Sequence, residues 1–135
     1  MYVDVSGGCH CGKISFTARI NPEYVVICHC TDCQNISSAP YRVSVPVRAE
    51  NLKLQGAVST YLKTGDSGRE RSLAFCGVCG SAVYSTSADA NPEFFNLRWG
   101  LIDQRSQLPP RSQGFCGSGV PWAVNIGDIA EVPTS

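Results

Sequence analysis

Seven of the eight cysteines in this chain sit in three tight groups: Cys9-His10-Cys11, Cys28-His29-Cys30-Thr31-Asp32-Cys33 and Cys76-Gly77-Val78-Cys79. This grouping constrains the fold more than any other feature, because sulfurs held so close must share a partner. Four thiolates close one tetrahedral zinc site, while three leave a second zinc with a free corner. A closed site stabilises the fold. An open one can do chemistry. The functional reading turns on whether the seven divide as four and three.

The 135 residues are read as a single domain, 1–135, long enough to bury about two-thirds of its unfolded surface. Eleven basic side chains balance eleven acidic ones, and charged residues make up only 16% of the chain. Such a chain has no field to attract a polyanion, so nucleic acid is not expected as a partner. The first residues, Met1 to Gly8, lack the basic start and apolar run of a signal peptide. No stretch approaches the ~18 apolar residues of a membrane-spanning helix, so no membrane association is expected. The expected compartment is the cytoplasm, where thiols stay reduced and clustered cysteines favour metal over disulfides. A disulfide-stapled secreted domain is the rival reading. Cys-X-Cys spacing counts against it, because its two sulfurs are poorly placed to join each other.

Between the clusters lie short β-rich runs punctuated by glycine and polar turns. Ile14 to Ala18 alternates in period two, and Tyr24 to Ile27 leads straight into the second cluster. Tyr41 to Val47 places Val43, Val45 and Val47 on one face. Leu52 to Leu54 and Thr60 to Leu62 follow, then a turn over Thr64 to Gly68. That turn contains Gly65-Asp66-Ser67-Gly68 but lacks the lysine and helix of a phosphate loop, and it is read as a hairpin tip. Arg71 to Phe75 and Ser81 to Ser85 flank the third cluster as a zinc-knuckle hairpin, with Gly80 suited to a positive φ. Phe94 to Trp99 and Trp122 to Ile126 are two further strand candidates. Asn35 to Pro40 is read as one helical turn, and Asp103 to Gly119 as an irregular excursion. The expected fold is mainly β, in small antiparallel sheets pinned by metal.

Cys9, Cys11, Cys76 and Cys79 are assigned to one structural zinc, formed from two distant half-sites. Cys28, Cys30 and Cys33 put three sulfurs within six residues and are assigned to a second, catalytic zinc. Its fourth corner is open to water or substrate. Two alternatives stand beside this: a Cys₃His site recruiting His29 or His10, or a Cys₄ site recruiting Cys116. A zinc already bearing three thiolates is a weak Lewis acid, better suited to a fourth thiolate than to making hydroxide. That points to a thiol substrate.

In order and spacing, Gly8-Cys9-His10-Cys11-Gly12, Cys28-His29-Cys30-Thr31-Asp32-Cys33-Gln34 and Phe75-Cys76-Gly77-Val78-Cys79-Gly80-Ser81 resemble the glutathione-dependent formaldehyde-activating enzyme family. Its domain is shared with centromere protein V. The likeness continues through Gly100-Leu101-Ile102-Asp103 and ends with Ser118-Gly119-Val120-Pro121-Trp122. It implies a β-tent fold, two zinc ions per chain and the same division of ligands. It also implies carbon–sulfur lyase-type activity, joining a small thiol such as glutathione to a small aldehyde such as formaldehyde as an S-hydroxymethyl adduct. Gln34 stands where the family commonly has Arg, and Gln113 where many relatives have His. A homodimer through an exposed strand edge is compatible with this reading.

The remaining residues have bland readings beside sharper ones. Cys116 is read as a partly buried free cysteine rather than a ligand. Trp99 and Trp122 are read as core aromatics. Arg42 and Arg98 are read as solvated strand-face arginines, the alternative being a clamp on a substrate carboxylate. Arg69 and Arg71 are read as an exposed charge pattern with Glu70. Asp32 and Asn35 are turn residues beside the metal loop, with Asp32 the better proton-transfer candidate. Two functions of other classes compete with the enzyme: a binding module with two structural zincs, and a redox or metal-buffering thiol switch.

Overall fold

Period-two alternation of apolar and polar side chains marks several of the ten short strands that, with one α-helix, are found among the described residues. The computed structural model describes residues 1–133; the last two residues of the expected 1–135 domain lie outside the described residues. The elements are β1 (Val3–Gly8), β2 (Ser15–Ile20), β3 (Val26–Cys28), α1 (Thr31–Ser37), β4 (Arg42–Arg48) and β5 (Leu52–Gln55). They continue with β6 (Ser59–Thr64), β7 (Glu70–Phe75), β8 (Ala82–Ser87), β9 (Phe94–Arg98) and β10 (Ser112–Gly114).

Two sheets result. The smaller has the order β1-β2-β5, and the larger β10-β3-β4-β9-β8-β7-β6. Every pairing is antiparallel except β10 with β3, where Gln113 lies opposite Ile27. The mainly β, antiparallel class expected from the sequence holds. In β2, strict alternation buries Phe16, Ala18 and Ile20 while the intervening residues face water. These meet Val45, Val83 and Leu97 of the larger sheet, with Ile14, Val25 and Ile102 filling the same core. A bridge between Gly7 and Ile102 and a bond from the Asp103 N–H to the Ser6 carbonyl (2.8 Å) fasten the chain after β9 to β1.

Four sequence expectations need correction. The apolar run Trp122 to Ile126 forms two 3₁₀ turns, Pro121–Val124 and Ile126–Asp128, because no strand lies beside it to pair. The helix starts at Thr31 rather than near Asn35, since Cys30 caps it through a bond from the Cys33 N–H to Sγ. The excursion from Asp103 to Gly119 contains β10, whose polar residues pair in parallel with β3. Trp122 is exposed rather than core, whereas Trp99 packs on the core and donates its indole N–H to the Leu108 carbonyl (3.0 Å).

Candidate metal centres

The first and third cysteine groups occupy two turns of similar construction. The Gly12 N–H bonds the Cys9 carbonyl (3.1 Å), and the Gly80 N–H bonds the Cys76 carbonyl (2.8 Å). Both glycines sit at positive φ, 83° and 80°, where a side chain would be strained. Each turn points backbone N–H groups at sulfur: Ile14 N–H to Cys9 Sγ (3.2 Å) and Cys79 N–H to Cys76 Sγ (3.5 Å). The His10 N–H reaches across to the Ser81 hydroxyl (3.1 Å), joining the two turns.

The sulfurs of Cys9, Cys11, Cys76 and Cys79 all lie within 4.8 Å of one another. Cys9–Cys11 and Cys11–Cys76 measure 3.6 and 3.7 Å. Disulfide sulfurs would be about 2.05 Å apart. A tetrahedron with 2.3 Å zinc–sulfur bonds has edges of about 3.8 Å, and these two spacings match it. The thiols also differ sharply. Hydrogen bonds from the Ser81 hydroxyl, the Ser81 backbone and the Cys11 backbone bring Cys79 down to about 5. The Lys13 backbone lowers Cys11, but burial and the three neighbouring sulfurs outweigh it and raise that thiol to about 11. Four crowded sulfurs cannot all be anions on their own. A divalent cation removes that conflict.

The middle group is local. Cys28 ends β3, Cys30 caps α1, and Cys33 lies in its first turn, where the Cys33 N–H points at Cys30 Sγ (3.3 Å). Their three sulfurs also lie within 4.8 Å of one another. Burial and the neighbouring Cys30 and Cys28 sulfurs push Cys33 up to about 12. Desolvation would raise Cys30 as well, but hydrogen bonds from Cys33 prevail and lower it. Among the described residues, no fourth Cys, His, Asp or Glu donor lies within 4.8 Å of all three.

The alternative ligands are placed elsewhere. His29 is buried with its Nε2 at 2.8 Å from Gln113 Oε1 and its ring edge against Tyr41. Cys116 is exposed on the 3₁₀ turn Cys116–Ser118, contrary to the partly buried position expected of it. The two family departures are both structural here. Gln113 carries the His29 bond, and the Gln34 side-chain amide donates to the carbonyls of His29 (2.8 Å) and Ser118 (2.9 Å). The C-terminal loop is thereby fastened behind the trio.

Charged residues beside the trio were legible only in part. Lys63 of β6 bridges to Asp32 of α1 at 2.9 Å, so Asp32 is tied to a cation as well as standing in the metal loop. Arg42 is buried, as is most of Arg98, which donates to the Ser44 hydroxyl (2.7 Å). The reading of both as solvated arginines is thus overturned. Burial and the nearby Arg42 push Arg98 down to about 9, against the opposing pull of the Cys33 and Cys28 sulfurs. Arg71 is half-buried and bonds the Ser85 hydroxyl (3.2 Å), so the exposed pattern expected with Glu70 holds only for Arg69 and Glu70. Two open surface grooves, of about 510 and 360 Å³, lie over β1, β2 and β5 and at the Tyr84–Phe95 end of the larger sheet; neither is lined by cysteine.

A β protein that gathers seven sulfurs into a quartet from distant turns and a trio from one turn is a cysteine-cluster protein whose two clusters could each hold a metal ion. The chain belongs to the glutathione-dependent formaldehyde-activating enzyme family, whose sequence model matches residues 4–118. The fold is similar to the crystal structure of a Rhodobacter sphaeroides protein, with a TM-score of 0.59 and 18% identity over 80% of this chain and 98% of that one. No curated protein matches the sequence. Among the described residues, no helix is long and apolar enough to cross a membrane.

Proposed function

We propose that this chain is a zinc-dependent carbon–sulfur lyase-type enzyme, forming or cleaving the adduct of a small thiol and a small aldehyde. Cys9, Cys11, Cys76 and Cys79 would hold a structural zinc, and Cys28, Cys30 and Cys33 a catalytic one. The observation that carries the reading is the trio itself: three sulfurs within 4.8 Å of one another with, among the described residues, no fourth Cys, His, Asp or Glu donor beside them. Family membership supports a glutathione-like thiol and a formaldehyde-like aldehyde.

Zinc held by the trio would favour the thiolate form of a thiol at its remaining position. The chain's own residues supply the geometry. Cys28 is fixed at a strand end and Cys30 and Cys33 on a capped helix, so the three sulfurs face one point without side-chain searching. The Lys63–Asp32 pair anchors the helix to β6, and Gln34 anchors the loop behind it. In the reaction, the thiol sulfur forms a bond to the carbonyl carbon and the C=O π pair moves to oxygen. The oxygen then takes up the proton that the thiol released. Reversal cleaves the same bond. Since such addition is facile in water, holding the two reactants together supplies the main acceleration.

Titrating glutathione into the zinc-loaded protein, with formaldehyde exchange followed by NMR, tests the proposal. Saturable binding and faster adduct exchange are expected. Neither thiol binding nor a change in exchange rate would reject it, leaving a module with two structural metals.

A further inference from the structure

The larger sheet has one face on the core and one that buries charge. Register defines the second face, because residues directly opposite in a pair point the same way. Cys28 lies opposite Arg42, and Ser44 opposite Arg98, so these four side chains share it. Asn96 and Ser85 continue it, and Arg71, bonded to Ser85, stands at its far side. Helix α1, carrying Cys30 and Cys33, is tied to this side by the Lys63–Asp32 bridge. The trio therefore stands at the border of a group of three arginines, Arg42 buried and Arg98 and Arg71 partly so.

These arginines lack anionic partners. Among the described residues the ion pairs join Arg19 to Asp4, Arg48 to Glu93, Lys63 to Asp32 and Arg111 to Glu23; Arg42, Arg71 and Arg98 take part in none. Arg42 is only 7% exposed, yet its Nη2 has no hydrogen-bond partner among the described residues. A buried guanidinium with an unmet donor is costly unless something pairs with it. The trio's own thiolates do not suffice. Three thiolates around a divalent zinc carry one net negative charge, whereas the three arginines carry three positive ones. Two charges remain, and a thiolate bearing one carboxylate supplies two.

We propose that Arg42 and Arg98 form a carboxylate site beside the trio, so that the substrate is an acidic thiol whose sulfur meets Cys28, Cys30 and Cys33 while its carboxylate meets the arginines. Arg42 is the cross-strand neighbour of Cys28, with Cβ atoms about 5 Å apart in such pairs. The two ends of one small molecule can therefore engage both groups. The guanidinium fork suits a carboxylate better than a lysine would. This proposal rests on the thiol reading above and adds to it the residues that would read the thiol's carboxylate.

Calorimetric titration of the zinc-loaded protein separates the two. The probes are 3-mercaptopropionate and N-acetylcysteine, each against its neutral amide, 3-mercaptopropionamide and N-acetylcysteinamide. At least about tenfold tighter binding of each acid is expected, the scale of one charge-assisted hydrogen bond. Arg42→Gln, checked for unchanged zinc content and melting, should erase that preference while leaving affinity for the neutral thiols in place. Arg42→Lys should keep part of it. If Arg42→Gln fails to fold, Arg98→Gln, held to the same checks of zinc content and melting, gives the same readout. Equal affinity for acid and neutral thiol would overturn the carboxylate site and leave the thiol reading intact. A preference that survives both arginine substitutions would overturn the assignment to Arg42 and Arg98. No binding of any thiol would overturn both readings together.

Discussion

The quartet and the trio use the same side chain for opposite ends. The quartet draws two ligands from the turn after β1 and two from the turn after β7, and it ties together parts of the chain 65 residues apart. The trio draws all three from one strand end and the helix that follows, so it closes no long loop. Loop-closure reasoning assigns most of the stabilisation to the quartet. In the proposed reading, the absence of a fourth Cys, His, Asp or Glu donor among the described residues leaves the trio as the reactive site. Distance in sequence would then be what separates the structural site from the reactive one.

The largest expected effect lies on the quartet side. Cys76→Ser removes a buried ligand, and structural zinc in small domains contributes about 10 kcal/mol or more, comparable to a domain's whole stability. Loss of the cooperative unfolding transition, read by circular dichroism, is expected. Next comes the core joining the sheets: Ile14→Ala, at a fully buried site whose N–H points at Cys9 Sγ, should cost about 2–5 kcal/mol in chemical denaturation. Cys30→Ser should do much less to the fold, under about 2 kcal/mol, because serine preserves the cap of α1. Its zinc content should nevertheless fall from about two per chain to about one. Global unfolding of Cys30→Ser would erase the distinction between the two sites.

Acid sharpens the same contrast. Without metal, Cys33 holds its proton up to about 12, while Cys79 releases its proton at about 5. Zinc must displace a proton at both sites at neutral pH, from Cys33 in the trio and from Cys11, held up to about 11, in the quartet, but the quartet adds Cys79 as a fourth protein ligand already ionised. Affinity at a site falls about tenfold per pH unit for each proton displaced. On acidification, followed with a chromophoric chelator, the trio should therefore empty at higher pH than the quartet. Release in the reverse order would contradict the assignment. The smallest effect belongs to Lys63→Ala. It breaks a bridge to a half-exposed Asp32 and should shift stability by under about 1 kcal/mol.

The two sulfur clusters were legible in the sequence because they leave a local signature: close cysteine spacing, with Gly12 and Gly80 at the left-handed positions that finish two of the turns. Most strands were legible for a similar reason, since β2 and β4 declare their buried faces by alternation. What depended on distant pairing was not. Ser112 to Gly114 has no strand-like composition and becomes β10 only by lying beside β3, whereas Trp122 to Ile126 looks strand-like and finds no neighbour. The buried arginines were hidden the same way. Arg42 alternates with valines as a solvent-facing residue would, and only the register that sets it opposite Cys28 and Ser44 opposite Arg98 encloses it.

Zinc X-ray absorption on the fully loaded protein, before and after addition of thiol, compares the two centres directly. One zinc with four sulfurs and one with three average about 3.5 sulfurs per metal, with a lighter donor on the second. A rise to about 4 on saturation with thiol, with the lighter donor lost, is the predicted result. Four protein donors at each zinc from the start, unchanged by thiol, would contradict it.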